Sequence, residues 1–146
     1  DGSLPEARRL AEKLGVAERV RFVGGVPKSE IPGRLDEADI LLNTSDFDNM
    51  PVSVEEAMAC GLCVVSTDVG GVRYLLDDGA TGLLVPARDA GAMANAVRRI
   101  LTEDGLAPSL SSQARAKVEG FDWSTVILAW DGVLLRAAGP YGGAGR

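Results

Sequence analysis

Apolar positions along the first fifteen residues recur at helical spacing: Ala7, Leu10, Ala11 and Leu14 share one face, Ser3 and Glu6 fit a capping box, and Gly15 suits a left-handed terminus. The chain is therefore predicted to open with a helix. Residues 20–24, Val-Arg-Phe-Val-Gly, read as a strand, and a Gly-Pro turn leads to a second helix over about residues 29–38. Residues 39–44 then form a continuous apolar run, the pattern of a parallel strand covered on both faces.

A helix over 51–60, a strand at Val64 and Val65, and a fourth, shorter strand over 82–85 continue the alternation. Asp89 can cap a helix whose Met93, Ala96, Val97, Ile100 and Leu101 lie on one face, ending near Gly105. Another helix is expected over 109–119. Phe121 and Val126 flank an Asp122 cap as a hydrophobic staple, opening a last helix that presents Val126, Trp130 and Leu134. Strands alternating with helices predict an α/β fold with right-handed crossovers, a parallel sheet with flanking helices. One domain over 1–138 is expected, followed by a flexible glycine-rich tail over 139–146.

Composition narrows the chemistry. The chain has 146 residues, 46% hydrophobic and 25% charged, enough to bury a core. A net charge of -6 without a basic patch speaks against nucleic acid or anionic lipid as partner. With no apolar run of membrane-spanning length and no signal-peptide pattern, a cytoplasmic location is the default reading. The sequence contains no histidine, so any acid–base step rests on carboxylates, backbone dipoles or the substrate. Cys60 and Cys63 have redox spacing, but too few other ligands accompany them for a metal site, and free thiols of this kind are small buried hydrophobes.

The densest chemistry lies in residues 45–61, Ser-Asp-Phe-Asp-Asn-Met-Pro-Val-Ser-Val-Glu-Glu-Ala-Met-Ala-Cys-Gly. Asp48 falls in a loop, Pro51 can be the first helical residue, and Glu56 follows one turn on, leaning back toward the helix start. Amides of that first turn can meet an anion, while the carboxylates accept hydrogen bonds from hydroxyls. An acidic pair on a helix is more often a solvated face or a dipole partner than a sugar ligand, and Glu55 reads that way.

An acidic residue, seven intervening residues, then Glu followed by Ala-Met-Ala-x-Gly and an apolar strand resembles the signature of the retaining GT-B-fold glycosyltransferases that include the group 1 kind. The resemblance runs on through Val69-Gly70-Gly71 and residues 78–86, covering about residues 20–130. It implies transfer of a sugar from a nucleotide-diphospho-sugar to an acceptor, with retention at the anomeric carbon and no metal cofactor. Under it Asp48 faces the transferred sugar as the catalytic residue, where relatives usually carry Glu. Asn49, Met50, Pro51 and Val52 contact sugar and diphosphate through the backbone, and Glu56 binds the ribose. Gly70 and Gly71 approach the donor closely or serve a turn that needs positive φ. Val26 matches a backbone contact to the nucleobase, or else has a core or turn role. Trp123 and Trp130 fit core or interdomain packing. Tyr74 stands where many relatives have Glu and carries no assigned chemistry.

Asp1-Gly2-Ser3 resembles the end of the family's Gly-Asp-Gly turn, which implies that the domain's first two strands, its basic pyrophosphate ligands and the N-terminal acceptor domain are missing. A fragment is thus expected, unstable, rearranged or dependent on association when alone. Membrane association of the parent stays open and is not encoded in these residues. Two other classes remain: a nucleotide-sugar-binding module or inactive fragment without turnover, and a flavodoxin-like or dinucleotide-binding domain, the latter disfavoured because no Gly-x-Gly-x-x-Gly follows a first strand.

Overall fold

A computed structural model describes residues 3–139, which lie in two compact units, Asp1–Ile31 and Pro32–Arg146. The proposed turn at Asp1 and Gly2, and the glycine-rich tail from residue 140 onward, lie outside the described residues.

In the first unit, helix α1 (Leu4–Lys13) ends where Gly15 takes φ +68°. The predicted capping box does not form. Ser3 has helical rather than extended dihedrals, and its side chain makes no cap hydrogen bond. Of the apolar face only Ala11 is buried, while Leu10 and Leu14 are exposed. Residues 20–24 are not a strand in this structure. Val20 is extended, but a strand exists only through paired N–H and C=O groups, and the described sheet has no partner for this segment. Phe22 instead lies under the Arg8 guanidinium, 4.8 Å from the ring centroid. The helix expected over 29–38 is shorter and broken, a 3-10 turn at Lys28–Glu30 followed by α2 (Ile31–Leu35), of which all but Ile31 belongs to the second unit. Pro32 and Gly33, the one lacking an N–H and the other a poor helix former, account for its short length.

The second unit is built on three parallel strands in the order β1 (Ile40–Asn43), β2 (Cys63–Thr67), β3 (Leu83–Val85), with Ile40 opposite Cys63 and Val65 opposite Leu83. The expected fourth strand is thus the third. β2 is central, and all five of its residues are buried. Its alternation divides the core. Val64 packs with Val54, Ala57 and Met58 of α3 (Val52–Ala59) and with Val72 and Leu75 of α4 (Val72–Leu75). Cys63 and Val65 face Ala96 and Ile100 of α5 (Ala90–Thr102) on the other side. Helix α6 (Leu106–Glu119) serves both layers, with Leu110 in one and Ala114 in the other.

β1 is not covered on both faces as its sequence suggests: it forms the sheet's edge and leaves Leu42 exposed. Asp89 caps α5 by accepting a 2.8 Å hydrogen bond from the Ala92 amide, as expected, but Leu101 at the far end is exposed. α6 begins three residues earlier than predicted, because Gly105 in a left-handed conformation starts it. The last helix, α7 (Trp123–Ala138), is capped by Asp122 through the Ser124 amide. Trp123 and Trp130 are not core residues: both are exposed, as is Leu134.

Candidate functional site

The carboxyl ends of β1 and β2 carry a run of polar residues that sit close together because the strands are parallel neighbours. Asn43, last in β1, is buried and donates from Nδ2 to Ser66 Oγ at 3.0 Å. Its Oδ1 accepts the Ser45 hydroxyl at 2.9 Å, and Ser45 Oγ also lies 3.4 Å from Asp48 Oδ2. Thr67, last in β2 and buried, donates its hydroxyl to the Ser45 carbonyl at 2.6 Å. These groups hold the first part of the loop that carries Asp48. Every buried side-chain polar atom among the described residues finds a partner.

Beyond Ser45 the loop swings out. Phe47 is 91% exposed, and Asn49 and Met50 are also exposed, while Asp48 is half-buried. Pro51 is buried and forms the N-cap of α3 with extended ψ, rather than being its first helical residue. Lacking a hydroxyl or carboxylate, it gives α3 no side-chain cap, whereas α5 and α7 are capped by aspartates. The first amides of α3, at Val52 and Ser53, precede any intrahelical acceptor. A polar loop followed by an uncapped helix start can receive an anionic, hydroxylated ligand.

Gly70 and Gly71 are brought against this loop. The Gly71 N–H donates to the Asp48 carbonyl at 3.1 Å. A Cβ at Gly70 would lie 2.0 Å from the Asp48 carbonyl oxygen, and one at Gly71 would lie 1.7 Å from that of Asn49. Gly70 also has φ +50°. Glu56 is half-buried and lies with Glu55, Ala59, Arg115 and Trp123 along a groove of about 480 Å³ bordered by α6 and the start of α7. Asp48 does not line that groove. Val26 belongs to the first unit, where it is half-buried.

Two arginines near the strand ends are paired with aspartates. Arg88 reaches Asp46 at 2.9 Å. The Arg73 guanidinium, hydrogen-bonded to Asp68, holds that carboxyl below the usual carboxylate range. Cys63 donates to the Ala107 carbonyl, and burial, helped by Asp39, pushes its thiol pKa up, so it is a resting thiol at neutral pH. No group of three or more His, Cys, Asp or Glu among the described residues is placed to hold a metal, and none of the described helices is long and apolar enough to cross a membrane.

Motif spacing does not mark Asn43, Ser66 and Thr67, and it contains Ser45 without giving it a role. Their signal was available: hydroxyl and amide side chains closing otherwise apolar strands at 43–45 and 66–67.

Fold and loop together define a Rossmann-like α/β protein. Residues 1–103 match the family model described as Glycosyl transferases group 1. D-inositol 3-phosphate glycosyltransferase of Corynebacterium jeikeium is 33% identical over 120 residues, covering 82% of this chain and 29% of that protein. Sucrose-phosphate synthase from Thermosynechococcus elongatus superposes with a TM-score of 0.82 at 30% identity, over 91% of this chain and 34% of the other. HepE from Anabaena, in complex with UDP, superposes with a TM-score of 0.84 at 25% identity, over 91% of this chain and 36% of the other. The chain belongs to the group 1 glycosyltransferase family, and it spans under a third of the length of the curated relatives it matches.

Proposed function

We propose that residues within 1–138 supply most of the donor site of a retaining glycosyltransferase, which moves a sugar from a nucleotide-diphospho-sugar to an acceptor held by a second domain. Family membership and the UDP bound by HepE support the donor class. The observation that carries the reading within this chain is the Asp48 loop, pinned at its base to two strand ends and opening onto the uncapped start of α3. In open parallel sheets, ligands bind outside the carboxyl ends of the strands.

In this reading Asp48 accepts a hydrogen bond from a hydroxyl of the transferred sugar and steadies positive charge on the anomeric carbon as the bond to phosphate lengthens. The backbone of Asn49 to Val52 faces sugar and diphosphate, and Glu56 accepts the ribose hydroxyls. The bond from anomeric carbon to phosphate oxygen breaks, and the acceptor oxygen forms its new bond on the same face. The acceptor's proton passes to the departing phosphate, so no imidazole base is needed. The reaction is proposed to run without a metal, so a chelator should leave UDP-glucose binding unchanged.

Calorimetric titration with UDP tests the site. Glu56→Ala should weaken binding by about ten- to a hundredfold, the value of hydrogen bonds to a charged group, while Glu55→Ala should leave it within about threefold. Equal effects of the two substitutions contradict the assignment. Transfer of labelled sugar by the chain supports the enzyme, whereas saturable binding without transfer supports a binding module.

A further inference from the structure

The turn that follows β2 meets the Asp48 loop at each end of its course. Thr67 Oγ1 donates to the Ser45 carbonyl at 2.6 Å, and the Gly71 N–H donates to the Asp48 carbonyl at 3.1 Å. At Gly70 and Gly71 there is no space for a side chain: a Cβ on Gly71 would lie 1.7 Å from Asn49 O and needs about 1.7 Å more to reach ordinary contact at 3.4 Å.

The two sides of this contact differ in firmness. The Asp68 N–H donates to the Val85 carbonyl at 2.8 Å, tying the turn to β3, and Val72 and Leu75 just beyond it are fully buried. The facing loop is exposed at Phe47, Asn49 and Met50. A methyl group inserted at the contact therefore displaces the loop and leaves the turn in place. Asp48 stands at the contact itself, with its carbonyl on Gly71 and its carboxylate directed back toward Ser45.

We propose that residues 67–71 form the seat that sets where the Asp48 carboxylate stands, with Thr67 and Gly71 as positioning residues for recognition of the donor's sugar. The proposal rests on the reading that Asp48 meets the transferred sugar. It goes beyond that reading by assigning the loop's placement to the turn, a role separate from any approach of Gly70 and Gly71 to the donor. A displaced carboxylate loses the sugar while the nucleotide, held elsewhere, stays.

The test compares Thr67→Val and Gly71→Ala with the unaltered chain. UDP and UDP-glucose are titrated into each protein by calorimetry, and backbone amide shifts are recorded without ligand. In both variants the amides of residues 45–50 should move while those of 83–85 stay. In Thr67→Val, UDP affinity should hold within about threefold, and any advantage of UDP-glucose over UDP should fall about tenfold, as expected for loss of a charge-assisted hydrogen bond; in Gly71→Ala, the loss for UDP-glucose should exceed the loss for UDP. Equal loss of both ligands marks a merely structural role and overturns the proposal, as do unchanged amides at 45–50. If Gly71→Ala does not fold, Thr67→Val decides, since it removes one hydrogen bond and keeps the shape. If the unaltered chain binds neither ligand, the donor-site reading fails by itself, and the amide shifts still decide whether the turn seats the loop.

Discussion

β2 and α7 are both rich in apolar residues, yet their surroundings are opposite. Every residue of β2 is buried, between β1 and β3 at its edges and helices on both faces. α7 exposes Trp123, Ile127, Leu128, Trp130, Val133, Leu134 and Leu135. Apolar character drives burial only where backbone pairing and a complementary face coincide. β2 gains both from neighbours close in the sheet. α7 carries its own backbone hydrogen bonds and so forms without a partner along much of its apolar surface.

The contrast can be broken by mutation. Met58, fully buried where α3 meets β2, should cost about 2–5 kcal/mol when replaced by alanine, read as a fall in the urea midpoint at constant slope. A loss under about 0.5 kcal/mol contradicts the assigned core. Asp89→Ala removes the cap of α5 and should cost about 1 kcal/mol in the same assay. Leu128→Ala, at a site 72% exposed, should change stability by less than about 0.5 kcal/mol. If it matches Met58→Ala, α7 is packed in solution and the contrast dissolves.

The smallest effect is confined to acid. Hydrogen bonds from Ser124, side chain first and then backbone, hold Asp122 below the usual carboxylate range. Its folded pKa is depressed, so its contribution is complete above the ordinary carboxylate pKa and is lost as pH falls through the lowered value. Amide exchange at Ser124 should speed up only in that acid window. Acceleration starting above the ordinary carboxylate range contradicts the cap.

The same contrast explains what the sequence made legible. β2, α3, α5 and the Asp89 and Asp122 caps follow from local pattern, since alternation, helical spacing and side-chain capping are decided within a few residues. The strand expected at 20–24 and the cover expected over β1 depend on what lies alongside, which a run such as Val20 to Gly24 does not contain. α4 escaped notice because four residues, Val72–Leu75, are too few to show a period. At the site, the Asp48 loop and the paired glycines stood out by spacing. That Gly71 touches Asn49 is not legible, because the contact joins the loops after two strands, more than twenty residues apart.

The central claim is that the strand-end loop and Glu56, and not the apolar surface of α7 beyond Trp123, meet a nucleotide-sugar. A titration of the chain with UDP-glucose, followed by amide and indole resonances, tests it most directly. Saturable shifts at Asp48, Asn49, Val52 and Glu56, with the Trp130 indole unmoved, are the predicted result. Shifts centred on Trp130 with residues 48–56 silent, or no saturable change anywhere, would contradict it.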